Sequence, residues 1–288
     1  MNSQDVTDVN SQEEPVMFDF NRLLKLNPFR ASVDFDRMLN WKLLRGSHEF
    51  PGPDGGTCIN EAAIIAAGYP YRSVQSIDDC PVSFSRPMAL FALCLNDMLD
   101  DELRQELLIP FVTRLGGSAD TPETELKRAE LILQRTAANV LAPALARAGL
   151  PELAEACRSF KTRGELIDVA RSLRNDSRAG VHPLLIAACD SAADGAQQWL
   201  AHRPAEVVRC ASHVIGEIAS VAGDSGPHAG RERAMAKVYR QAAEILDAAL
   251  KLGKQAEPTG MDAVASRMDK AKQNGGRARA FAFGCDPL

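Results

Sequence analysis

Arg45-Gly46-Ser47-His48-Glu49-Phe50-Pro51-Gly52-Pro53-Asp54-Gly55-Gly56-Thr57-Cys58-Ile59-Asn60-Glu61-Ala62-Ala63 is the stretch from which the rest of the chain is read. Pro51 and Pro53 lock φ and remove two backbone donors. Gly52, Gly55 and Gly56 admit conformations that side chains disfavour. Pro-Gly-Pro-Asp-Gly-Gly therefore reads as consecutive turns, and Trp41, Phe50 and Ile59 around it offer apolar area to bury. An ordered, Gly/Pro-rich loop from Gly46 to Thr57 is expected. It carries His48, Glu49, Asp54 and Cys58, residue types that hold protons, metals or substrates.

The loop runs into a short helix. Thr57 reads as its N-cap, with Asn60 or Glu61 answering in a capping box. From Ile59 to Ala67 the residues are apolar on nearly every side, which predicts a buried helix. Gly68 is its natural stop. Cys58 would then lie in the first turn, where unpaired N–H groups and the helix dipole favour an anion and lower a thiol's pKa. Gly55 and Gly56 would let a substrate backbone approach. Over Gly55–Ala63 the chain resembles the papain-like pattern of a cysteine opening a helix after a Gly-rich turn. The competing reading is a packed thiol, since free Cys is among the most buried residue types.

A broader resemblance covers about the first half of the chain. Ser47–Ala63, Gly68-Tyr69, Asp78-Asp79-Cys80-Pro81, Phe84-Ser85-Arg86-Pro87, Leu95-Asn96-Asp97 and Pro110-Phe111-Val112-Thr113-Arg114-Leu115 resemble an uncharacterised family of bacterial proteins. The resemblance implies a bacterial context and no named activity. In that family the second half is Ala-rich helix, whereas here it is a mixed helical sequence.

Composition bounds the function. The 288 residues suffice for a sizeable core in one large domain or two smaller ones. A net charge of -5 gives no global attraction to nucleic acid or anionic membrane, and argues against nucleic acid as a partner. Seven cysteines without a CxxC pair read as reduced thiols of a cytoplasmic protein. Met1–Glu14 is too polar for a signal peptide, and no apolar run is long enough to span a bilayer.

Four segments are expected. Residues 1–15, rich in Asn, Ser, Gln and acids, read as a disordered arm. Residues 16–117 read as an N-terminal helical domain carrying the loop, with Val33–Leu44 helical. Gly116-Gly117-Ser118-Ala119-Asp120 marks a soft joint, and residues 118–273 read as a C-terminal helical domain. Residues 274–288 read as a flexible tail, basic and then apolar at Phe281 and Phe283. Ser85, Asp100, Thr121, Thr162 and His182 mark helix starts, and Pro110 a kink. Tyr69–Val74 is the place for one short strand. The fold class is thus mostly α: a multi-helix protein with at most one small β element.

Two functions compete. The first is a helical module that binds a ligand or another protein through the surface shaped by the loop, with Glu49, Asp54, Gly55, Gly56, Asn60 and Glu61 as ligand-binding residues. The second is an enzyme with Cys58 as nucleophile and His48 as its base, paired with Glu61 or Asp54. No zinc spacing is present, so neither a metal nor a cofactor is expected.

Overall fold

Three helix starts, at Ser85, Thr121 and His182, join a side-chain cap to a proline in the first turn, a combination that pre-sets φ and satisfies one of the first free N–H groups. The computed structural model describes residues 42–48, 56–175, 180–224, 228–255, 260 and 262–271. The helices are α1 (Ile59–Ala66), α2 (Arg86–Met98), α3 (Asp101–Leu108), α4 (Val112–Leu115), α5 (Pro122–Thr136), α6 (Ala142–Arg147), α7 (Pro151–Ser159), α8 (Arg163–Asn175), α9 (Pro183–Leu200), α10 (Pro204–Gly223), α11 (His228–Leu250) and α12 (residues 262–271). Ser85, Asp100, Thr121 and His182 cap α2, α3, α5 and α9 as expected, each side chain accepting a first-turn N–H. Pro110 sits in a tight 3₁₀ turn, Ile109–Phe111, between α3 and α4.

α10 is the centre of the molecule and packs against α2, α5, α9 and α11. Val207, Val208, Ala211, Val214, Ile215, Ile218 and Ala219 are all buried, so it presents one broad apolar face to its neighbours. Small residues allow close approach: a Cβ on Gly195 of α9 would stand 3.0 Å from Leu133 and 3.2 Å from Cys210. Between α5 and α6 the helix widens into a π turn, Ala137–Leu141, where the Ala142 N–H reaches the Ala137 carbonyl. Pro143, which has no N–H and a ring that crowds the preceding turn, gives the physical reason.

The described residues all belong to one compact unit, Phe35–Leu288. The segment Gly116–Asp120, where composition puts a joint, is tied down on both sides. The Ala119 N–H donates to Ser83 O, Asp120 N–H to Glu125, and buried Arg128 to Ser118 O. Helices before the joint pack on helices after it, α2 against both α10 and α11. Arg114–Asp247 at 2.7 Å and Arg240–Glu106 at 3.2 Å are ion pairs across it.

Among the described residues the limit of one small β element holds. Tyr69–Val74 forms no strand, and the described β contact is a parallel bridge between Leu43 and Thr57. The helix expected over Val33–Leu44 is not helical at its described end. Lys42–Leu44 is extended, with Leu44 N–H donating to Thr57 O and Thr57 N–H to Lys42 O. Gln105 holds the Leu43 backbone by both its N–H and its carbonyl, which outweighs the helical pattern of the apolar residues. The acidic arm, the start of the N-terminal domain, Glu49 to Gly55 and the tail from residue 272 lie outside the described residues. Among the described residues no helix is long and apolar enough to cross a membrane.

Candidate functional site

α1 is buried at every position from Ile59 to Ala66. Its N-cap is Cys58, not Thr57. The Cys58 sulfur accepts the Glu61 N–H at 3.4 Å, and the Glu61 carboxylate accepts the Cys58 N–H at 2.8 Å. This is a capping box with a thiol in the place of the usual hydroxyl. Thr57 is displaced into the β bridge, and its hydroxyl oxygen is buried with no hydrogen-bond partner among the described residues.

Glu61 does far more than cap. Its carboxylate is fully buried and accepts from Ser47 Oγ (3.1 Å), His48 N (3.0 Å), His48 Nδ1 (3.3 Å), Cys58 N (2.8 Å) and Val74 N (3.1 Å). Three separate segments, at residues 47–48, 58 and 74, are thereby fixed to one side chain. Tyr71 adds to the cluster by donating its hydroxyl to His48 O, and Ser73 by a 2.6 Å contact with Ser47 Oγ. Below the carboxylate, Asn96 of α2 accepts from Ile59 N–H at 3.2 Å and donates to Leu44 O at 2.9 Å. Asp97 accepts from Gly46 N–H, and Arg104 donates to Asn96 O and Leu99 O.

The electrostatics of the cluster oppose an activated thiol. Cys58 is fully buried, and its pKa is pushed well above the ordinary value by that burial and then by the negative charge of Glu61. The lowering expected from the helix N-terminus is thus corrected. The same two causes push the Tyr71 hydroxyl up, burial first. His48 reaches the Glu61 carboxylate instead of the Cys58 sulfur.

Of the other residues read from sequence, Asn60 is turned inward and donates to Ala89 O, joining α1 to α2. Gly56 is buried against the extended strap of residues 42–44: a Cβ there would stand 2.4 Å from Leu44 Cδ1 and 2.7 Å from Lys42 O. The structure therefore unites Cys58, His48 and Glu61, gives Gly56 and Asn60 packing roles, and leaves Glu49, Asp54 and Gly55 outside the described residues. Sequence reasoning missed Ser73, Tyr71, Asn96, Arg104 and Gln105. Asn96, an amide inside an apolar helical stripe, is the one legible signal among them. Among the described residues no three His, Cys, Asp or Glu side chains converge to hold a metal ion. Two shallow depressions, one over Met98, His213 and Glu217 and one over Val82, Pro122 and Pro204, lie away from this cluster.

Set against protein-family models, curated proteins and solved structures, the chain finds no match.

Proposed function

We propose that the protein is a binding module: a rigid helical scaffold presenting a polar face, built from Ser47, His48, Tyr71 and Ser73, to a ligand or a partner protein. The observation that carries this reading is the buried Glu61 carboxylate, which holds three chain segments at once. Burying a carboxylate is expensive unless donors surround it. Here the return is a surface whose geometry is set before anything binds, and preorganisation of that kind reduces the entropy lost on association.

The alternative of a cysteine-nucleophile enzyme rests on Cys58 standing at a helix N-terminus beside a histidine. Burial of the sulfur, its raised pKa and the engagement of His48 by Glu61 all count against it. The described cysteines are all free thiols, which fits the cytoplasmic, bacterial setting suggested by sequence. The test is alkylation of the native protein at neutral pH, read cysteine by cysteine by mass spectrometry. Half-buried Cys94 and Cys210 should label well before Cys58. Rapid modification of Cys58 would overturn the binding reading in favour of the enzyme.

A further inference from the structure

The position of each proton in the Glu61 cluster follows from its hydrogen bonds. An ionised carboxylate only accepts. Ser47 therefore spends its single hydroxyl proton on Glu61 Oε1. In the 2.6 Å contact between Ser47 Oγ and Ser73 Oγ, Ser73 must then be the donor. Ser73 has one proton as well, so the lone pairs left on its oxygen are the only polar function it can offer outward. His48 donates Nδ1–H to Glu61 Oε2, which leaves Nε2 without a proton in the neutral ring. The Tyr71 proton is directed at His48 O. Among the described residues, the side-chain protons of Ser47, Ser73, His48 Nδ1 and Tyr71 are thus each spent within the cluster, which leaves His48 Nε2 and Ser73 Oγ as acceptors.

The charge has the same sense. Among the described residues, the side chain that meets Glu61 from the histidine, lysine and arginine set is the neutral His48 imidazole, and no lysine or arginine reaches the carboxylate. Arg72, next to Ser73, is turned to Asp79 O instead. A negative charge thus lies beneath a rim of lone pairs, with the His48 side chain 15% exposed above it.

Resting on the binding-module reading, we propose that this rim, with His48 Nε2 and Ser73 Oγ as acceptors over the Glu61 carboxylate, recognises a primary ammonium group. An ammonium group supplies both the positive charge and several N–H donors, where a metal ion would need more ligands than are gathered here.

The test uses the full-length protein labelled with ¹⁵N at histidine. Long-range ¹H–¹⁵N spectra at pH 7.5 should show His48 as the Nδ1–H tautomer. Methylammonium should shift the Nε2 resonance saturably, while tetramethylammonium, with the charge but no N–H, should not. Ser73→Ala, at a partly exposed position, should weaken the methylammonium response about tenfold. Stronger binding of Nα-acetyl-lysine methylamide than of methylammonium would make the source a protein lysine; equal or weaker binding would make it a small amine. An Nε2–H tautomer, no response to methylammonium, or an equal response to tetramethylammonium would overturn the proposal. None of these results alters the labelling of Cys58, so the binding-module reading is judged separately.

Discussion

Among the described residues, Glu61 and Arg128 are fully buried charged side chains with opposite solutions to the same problem. Glu61 is a buried anion surrounded by backbone N–H groups, a hydroxyl and one imidazole. Arg128 is a buried cation that donates to Ser118 O (2.6 Å) and Leu252 O (2.7 Å) and also meets carboxylates, Glu125 at 3.1 Å and Asp120 at 3.8 Å. Arg128 is compensated charge for charge. Glu61 is held almost wholly by dipoles. The first arrangement closes a structural joint between α5 and the turn after α11. The second leaves a carboxylate that no lysine or arginine among the described residues reaches.

The largest effect expected follows from that difference. Arg128→Met should destabilise the protein by about 3–5 kcal/mol in urea unfolding, since it leaves two carboxylates and several carbonyls uncompensated. Glu61→Gln should be milder, about 2–3 kcal/mol, because the amide keeps the shape but turns an NH₂ group toward donors such as the Cys58 N–H. If Glu61→Gln proved the more damaging, the distinction between charge and dipole compensation would fail. Gly56→Ala should remove about 1–3 kcal/mol by forcing Leu44 and the Lys42 carbonyl away. A neutral result there would show that the strap of residues 42–44 is not fixed against α1.

The smallest effects are those of pH, and they should separate the two centres. Asp120, beside Arg128, is held below the usual carboxylate range by the Lys254 N–H and then the Thr121 N–H. Its folded pKa is depressed, so its contribution is present above the unfolded value and is lost as pH falls below about 4. Cys58 and Tyr71, beside Glu61, have raised folded pKa values. Their contribution is complete at neutral pH and declines as pH rises past about 9, where the unfolded groups ionise. Amide exchange, corrected for its intrinsic pH dependence, should loosen first at Lys254 in acid and first at Val74 in alkali. The reverse order would break the comparison.

The helices that begin at Ser85, Asp100, Thr121 and His182 were legible because each carries its own start signal and apolar stripe, which need nothing distant to be read. The buried helix after Cys58 was legible for the same reason. The strap was not, because the pattern of apolar residues through Leu44 is helical and only Gln105, far along the chain, overrides it. Cys58, His48 and Glu61 were found as residue types that carry chemistry. Their roles were not, since burial and the direction of each hydrogen bond depend on Val74, Tyr71 and Asn96 arriving from elsewhere. Gly56 was read as a site of unusual φ, whereas its requirement is lack of space.

Arg267, in α12, donates to Ala66 O, the carbonyl at the end of α1. The two residues lie 201 positions apart. During synthesis, α1 emerges early, carrying Cys58 and Glu61 at its start and a bare carbonyl at its end. That end must wait for 201 further residues to be made before its donor arrives. The cluster built on Glu61 would therefore reach its final rigidity only once Arg267 is in place, so that a product terminated before it would carry Cys58 and Glu61 without the fastening at the far end of their helix.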